Sequence, residues 1–324
     1  MREHLPARVA EVVRETDDAC SFVLDADFSY QPGQFITVRV GTAARCYSLC
    51  SSPVTGERPA FTVKRTDGGY ASNWLCDNVR AGSSLDILPP AGTFTPGSLD
   101  NDLLLFAAGS GITPVMSILK SALATGSGQV VLVYANRDER SVIFGSALRS
   151  LAGDRLLVVH HLDSVQGPPT AASLAALARP FAGHEAFICG PDPYMTAVRS
   201  ALSAAGMPSS RVHVERFVSL EENPFESVPV AADAIPSRIT VTLDGQTQTL
   251  DWPPGHRMLD VLLDAGLDAP FSCRQGVCGA CACQLTEGKV EMAHNEVLED
   301  ADLGEGWILA CQSTAVTDSV TIEY

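Results

Sequence analysis

Cys273, Cys278 and Cys281 stand in the stretch SCRQGVCGACA with C-x4-C-x2-C spacing, and a fourth cysteine, Cys311, follows near the end of the chain. Thiols at that spacing point to a 2Fe-2S cluster, which takes four sulfur ligands, three of them here from one loop. A loop wrapped that closely round an iron-sulfide core needs permissive backbone, and Gly276 and Gly279 supply it. A structural zinc site is the rival reading. Zinc motifs usually answer one C-x2-C with a second pair or with H-x3-H, and Cys311 has no such neighbour. Cys283, on what reads as the next strand, has the simpler account of a buried thiol.

Further upstream, RCYSLCSSP runs from Arg45 to Pro53. On an extended strand Arg45 and Tyr47 share a face while Ser48 turns away, which sets a cation and a phenol ring where a flat, phosphorylated ligand would lie. Gly68, Gly69, Tyr70, Ala71 and Ser72 then precede a helical run from Asn73 to Asn78. Free backbone N–H groups and the Ser72 hydroxyl would converge there on a phosphate. A plain turn with Ser72 as N-cap explains the same residues.

The apolar run Leu103 to Ala108 has buried parallel-strand character and leads into GSGITP, then a helix through Leu123 with Pro114 in its first turn. Glycines in that loop would admit a dinucleotide pyrophosphate, although the full G-x-G-x-x-G form is missing. Cys189, Gly190 and Pro191 end a later strand, at the carboxyl edge where such sheets bind ligands. There the thiol either packs against a nicotinamide or is an ordinary core cysteine. Arg137 follows another strand, a place from which an Arg can grip an added phosphate on a dinucleotide. His160 and His161 have no partner ligands nearby in sequence and read as structural.

These residues need three different settings. From Leu5 to about Pro96, short β segments alternate with Gly and Pro clusters, as in an antiparallel barrel or sandwich. From about Asp102 to Phe217, strands alternate with helices in a doubly wound nucleotide-binding pattern. A proline-rich stretch follows, then a hairpin with Asp244-Gly245 at its turn, a short helix and closing strands, a small α+β unit. The expected domains are 1–98, 99–220 and 238–324, with 221–237 as linker, and 324 residues suit two or three domains of about 100–200 each.

Composition narrows the function classes. The formal net charge of −16 argues against nucleic acid as a ligand. From Ser237 to Tyr324 there are 14 Asp and Glu against four Lys and Arg, so acid concentrates around the cysteine loop. That is either a solvated face or a docking surface for a basic partner. The first residues lack the apolar core of a signal peptide, and the most apolar run falls far short of the ~20 residues of a membrane span. Cysteines 20, 46, 50, 76 and 189 sit in apolar or glycine-rich contexts. A reducing, cytoplasmic setting is therefore expected.

In this order, and over nearly the whole length, RCYS, GGYAS, GSGITP, CGP and the C-x4-C-x2-C loop with its late cysteine resemble the ferredoxin-NADP reductase superfamily with a plant-type ferredoxin fused at the C-terminus. Such proteins are reductases of bacterial oxygenase systems. RCYSLCSSP, SNWLCDN, LLLFAAGSGITP, YANRDERSVIF and VHVERFVSLEENPF are most similar to reductases that serve steroid hydroxylation in steroid-degrading actinobacteria. The reductase subunit of the phenylacetyl-CoA epoxidase system, or of another aromatic-ring oxygenase, is the alternative.

The resemblance implies a multidomain chain: an antiparallel β-barrel flavin domain, an α/β doubly wound nucleotide domain and a β-grasp ferredoxin domain. It implies Arg45 on the flavin phosphate, Tyr47 against the isoalloxazine and Ser48 near its reactive edge, with Val63, Gly69 and Ser72 completing the site. Gly111, Thr113 and Pro114 match the nicotinamide loop, and Cys189, Gly190 and Pro191 its second half. Ser48, Thr113 and Cys189 would then stand closest to the chemistry. Cys273, Cys278, Cys281 and Cys311 match the cluster ligands. FAD is the implied flavin, with FMN as alternative, and NADH is favoured over NADPH. A hydride brings two electrons and a cluster accepts one, so a flavin must mediate between them. The implied partner is a terminal Rieske-type oxygenase, with no membrane or nucleic acid, and the chain is expected to be a monomer.

Overall fold

Alternation of apolar and polar residues between glycine-rich turns builds the first unit. Its strands are β1 (Leu5–Arg14), β2 (Ala19–Asp25), β3 (Phe35–Val40), β4 (Ala43–Ser48), β5 (Ala60–Lys64) and, after helix α1 (Tyr70–Asn78), β6 (Ser84–Ala91). They form one antiparallel sheet in the order β4-β3-β6-β1-β2-β5. A bridge between Leu49 and Phe61 brings its two edges together, so the sheet curls into a barrel. Phe22, Ile36, Val38, Phe61 and Val63 fill the inside and Leu75 of α1 plugs one end. This computed structural model describes residues 4–217, 220, 223–225, 237–243 and 245–324.

The second unit comprises β7 (Leu103–Ala108), α2 (Ile112–Thr125), β8 (Val130–Asn136), α3 (Gly145–Ser150), β9 (Leu156–Leu162), α4 (Asp163–Gln166), α5 (Ala171–Ala178), β10 (Glu185–Cys189), α6 (Asp192–Ala204) and β11 (Val212–Glu215). All five strands are parallel, in the order β11-β10-β7-β8-β9. Both faces of the sheet are covered, which is why β7 and β8 are apolar at almost every position. The order reverses between β7 and β10, where a doubly wound sheet opens a crevice at its carboxyl edge.

The third unit contains β12 (Ser237–Leu243), β13 (Gln246–Trp252), α7 (Met258–Asp264), β14 (Ala282–Glu287), β15 (Val290–Met292), α8 (Asp300–Gly304), β16 (Trp307–Leu309), β17 (Ser313–Ala315) and β18 (Ser319–Glu323). Its mixed sheet runs β13-β12-β18-β14-β16, with β12 and β18 parallel, and α7 packs across it. The hairpin β12–β13 turns through Gly245 at φ 74°; Asp244 lies outside the described residues, as does the expected linker apart from 223–225 and Ser237.

The units interlock. Ser117 Oγ donates to the Ser51 carbonyl at 2.6 Å and Lys120 pairs with Glu57 at 2.9 Å, joining barrel to nucleotide unit. Leu88 of β6 is packed into the core of the third unit. Two details differ from the sequence reading. Helix α1 starts at Tyr70 with Gly69 as N-cap, not at Asn73. Ser72 is therefore inside the first turn rather than capping it, and its Oγ accepts from the Thr66 N–H at 3.1 Å. Also, β12 takes in Ser237, a residue expected in the linker, because that residue pairs with Trp252.

Candidate functional site

The cysteine loop leaves α7 and ends at β14. Gly276 and Gly279 lie at φ 75° and 69°, and a side chain on Gly276 would come within 2.5 Å of the His294 carbonyl. The close wrapping therefore requires glycine there. The four thiols converge in pairs: Cys273 is hydrogen-bonded to Cys278 and to Cys311, and Cys281 to Cys311. Those bonds hold Cys273 and Cys281 below the ordinary thiol range, with burial opposing them. Backbone N–H groups also point at sulfur, from Gln275 to Cys273 at 3.3 Å and from Cys311 to Cys281 at 3.5 Å. Such donors favour anionic sulfur, as a cluster requires. Among the described residues, no three His, Cys, Asp or Glu side chains form a site for a single metal ion. Four thiols suit zinc or an iron-sulfur core alike, and it is the C-x4-C-x2-C spacing with one distant cysteine that matches a 2Fe-2S site. Cys283 is on β14 with its side chain in the core, pushed up by burial.

At the switch point of the parallel sheet, the loop after β7 lies directly on the end of β10. A side chain at Gly111 would fall 2.1 Å from the Cys189 carbonyl oxygen, and one at Gly190 would fall 2.9 Å from Ala108 Cβ. So GSGITP and CGP, 78 residues apart from Gly111 to Cys189, form one surface. Thr113 and Pro114 are buried in the first turn of α2, where Thr113 Oγ1 donates to the Ser110 carbonyl at 3.0 Å. Cys189 is buried, and burial first, then Glu215, keeps its thiol neutral. Arg137 is exposed and paired at 3.3 Å with Asp18 of the barrel, which Lys64 also approaches at 3.8 Å.

Strand β4 presents Arg45 and Tyr47 to one side and Cys46 and Ser48 to the other. Arg45 donates to the backbone of Ala44 and Leu220, while the Tyr47 ring rests 5.6 Å from Phe61. Gly69 sits against Ser72 and Thr66 at the start of α1, and Val63 is buried in the barrel core. On the other side, Cys46 and Ser48 line a cavity with Glu215, Phe217, Cys273 and Cys278. Here strand β4, the last strand of the second unit and the cysteine loop meet.

The comparisons bear on all three units. Residues 7–95 match the oxidoreductase FAD-binding domain, 105–200 the oxidoreductase NAD-binding domain and 241–316 the 2Fe-2S iron-sulfur cluster binding domain. Over 99% of its length the chain is 58% identical to the "3-ketosteroid-9-alpha-monooxygenase, ferredoxin reductase component" of Mycolicibacterium smegmatis, covering 97% of that protein. The chain belongs to this family of ferredoxin reductases. The Rhodococcus rhodochrous counterpart is 54% identical over 98% of this chain and 95% of its own, whereas a component of the Escherichia coli 1,2-phenylacetyl-CoA epoxidase, over 98% of this chain and 96% of its own, is 33% identical. Among solved structures, phthalate dioxygenase reductase covers 99% of this chain and 98% of its own at 27% identity and a TM-score of 0.62. The reductase is thus an NAD(P)H-dependent flavin and iron-sulfur oxidoreductase that uses FAD.

Two residues of the reductase that sequence reasoning passed over matter to the site. Glu215 is a carboxylate at the end of β11, paired in register with Cys189, and burial pushes it up to about 8. Its position between Cys189 and Cys278 depends on three units meeting, so only its place at a strand end hinted at it. Arg274, inside the cysteine loop, is a non-glycine residue at φ 59°. Its guanidinium bonds Asp260 at 2.9 Å and lies 5.0 Å from the Phe271 ring, while its carbonyl accepts from Gln312 Nε2 at 2.7 Å. These contacts hold a backbone conformation that would otherwise be strained.

Proposed function

We propose that this reductase draws electrons from NADH and delivers them singly to a Rieske-type oxygenase that hydroxylates 3-ketosteroids. The observation that carries this reading is one cavity lined by Cys46 and Ser48 of β4, Glu215 at the end of β11, and Cys273 and Cys278, so that the barrel, the parallel-sheet unit and the cysteine loop face one another there. Bound FAD would accept one hydride, which carries two electrons, and release them singly, and a 2Fe-2S cluster would relay them. The chain's own residues supply placement. Gly111 and Gly190 leave room for a nicotinamide at the β7/β10 crevice, Thr113 and Pro114 shape its rim, and Pro191 starts α6 behind it. Buried, neutral Cys189 forms an apolar floor. Arg45, Tyr47, Ser48, Val63, Gly69 and Ser72 form the flavin site, with Gly69 and Ser72 at the positive start of α1 for a phosphate. Cys273, Cys278, Cys281 and Cys311 hold the cluster.

NADH is favoured because Arg137 is already engaged by Asp18, which leaves it less free to hold the extra phosphate of NADPH. The steroid substrate is assigned from the relatives, since it would bind the oxygenase and not this chain. Among the described residues no helix is long and apolar enough to cross a membrane. A net charge of −16 keeps copies apart and suits action as a monomer, and the free cysteines suit a reducing, cytoplasmic setting. Anaerobic titration of the purified protein with NADH tests the reading. Flavin and cluster absorption should both bleach, and the reduced protein should then reduce a steroid-hydroxylating oxygenase. Colourless, zinc-loaded protein, or flavin that NADH cannot reduce, would sink it.

A further inference from the structure

A buried hydroxyl bridge joins the barrel to the cysteine loop. Thr37 on β3 is hydrogen-bonded through Oγ1 to Ser272 Oγ at 2.8 Å, between residues 235 apart in sequence. Neither side chain reaches water, at 0% and 1% exposure. Cys46, which faces Thr37 across the β3–β4 ladder, brings its Sγ to 3.5 Å from the same threonine oxygen. Ala44, Leu220, Val277 and the sulfur of Cys273 pack nearby, and the carboxyl of Glu215 lines the same cavity as Cys46.

The position of this bridge is what gives it consequence. Ser272 is the residue before Cys273, and Cys46 lies between Arg45 and Tyr47 on the flavin strand. Apolar contact between two units tolerates sliding, whereas a hydrogen bond is directional and fails within a few tenths of an ångström. A hydroxyl buried without its partner is unfavourable, so each of these two fixes the other. We propose that the Thr37–Ser272 pair, with Cys46 beside it, is a positioning device that holds Cys273 at a set distance from β4 and thereby sets the rate of electron passage from flavin to cluster. This rests on the assignment of β4 to the flavin and of the four cysteines to the cluster. Thr37 and Ser272 take no part in the chemistry itself.

The test uses the full-length protein with both cofactors, mixed with NADH in a stopped-flow instrument. Wild type must bleach the flavin and then the cluster; failure at that stage would count against the proposed function, not against the bridge. In Thr37→Val, which keeps the shape and loses the hydroxyl, and in Ser272→Ala, flavin reduction should be unchanged. Cluster reduction should slow several-fold, because electron tunnelling weakens as the gap from flavin to cluster widens. The double variant should be no slower than either single one, because both changes remove one interaction. Thr37→Ser, which restores the hydroxyl and loses a methyl group, should recover most of the rate.

A second readout does not depend on turnover. Hydrogen exchange across residues 272–281 should rise in Thr37→Val and Ser272→Ala but not in Thr37→Ser, with the spectrum of the cluster unchanged. Should Thr37→Val not fold, Ser272→Ala carries the test alone. The proposal is overturned if cluster reduction and exchange match wild type in the hydroxyl-free variants. It is equally overturned if Thr37→Ser is the harmful change and Thr37→Val the harmless one, since the side chain then only fills space.

Discussion

Cys278 and Cys283 stand close in sequence but in different chemistry. Cys278 is hydrogen-bonded to Cys273 in the thiol group, while Cys283 is enclosed by the core. Cys278→Ser should therefore lose the cluster's absorption and its paramagnetic signal on reduction, with flavin reduction by NADH intact. Cys283→Ser should keep both. Equal loss in the two variants would show that the ligand assignment is wrong. Glu215 gives a prediction with a sign. Burial raises its carboxyl from 4.5 to about 8, so between those values the folded chain binds more protons than the unfolded one. The stability contribution is complete below the unfolded value and is lost as pH rises toward the folded value. Glu215→Gln, which cannot ionise, should flatten thermal stability between pH 5 and 8 relative to wild type. A slope identical to wild type in denaturation curves would mean that Glu215 is solvated. The same substitution should slow hydride transfer if this carboxylate helps to seat the nicotinamide.

At the scale of elements, the contact between the β7–α2 loop and the end of β10 has no slack. Gly111→Ala would drive a methyl group to 2.1 Å from a backbone oxygen, so the loop or the strand end must move. The expected loss is about 1–3 kcal/mol, typical of overpacking, with weaker NADH binding. Gly190→Ala, which meets the Ala108 side chain at 2.9 Å, should be milder in both melting temperature and NADH titration. Wild-type affinity in Gly111→Ala would show that NADH does not bind across this contact. Most strands were legible because each is an apolar or alternating run bounded by Gly or Pro; Leu103–Ala108 has the expected limits. Helix α1 was read three residues late because Gly69, Tyr70 and Ala71 look like a turn. Their helical state depends on tertiary packing of Ala71 and Leu75 into the barrel. The β15–β17 pair is too short to show a period and exists through its antiparallel pairing.

For the whole molecule, acid gathered around the cluster predicts how an oxygenase docks. Exposed charges are screened beyond about 8 Å at physiological salt. Partner reduction should slow as salt rises, while electron passage from flavin to cluster changes little, because that step occurs within one chain. Asp300 and Glu305 are exposed and suit charge reversal. Glu299 does not, since it caps α8 and its own N–H donates to Asp302 at 2.8 Å. Asp300→Lys with Glu305→Lys should weaken the partner step and its salt dependence together. Insensitivity to both salt and these substitutions would leave docking to apolar contacts and the acid as a solvated face.

What the sequence determined by itself is carried by residue type at short range. The spacing of Cys273, Cys278 and Cys281 pointed to an iron-sulfur site because thiolate chemistry and glycine-permitted wrapping are local properties. The three fold classes were legible for the same reason, since strand and helix periods repeat within a few residues. Tertiary structure alone decided which distant residues share a surface. It set Gly111 on Cys189, joined Thr37 to Ser272 across 235 residues, and brought Glu215 beside Cys278. No local signal marks such pairs, because threonine, serine and glutamate are ordinary residues until burial removes water and leaves one another as partners.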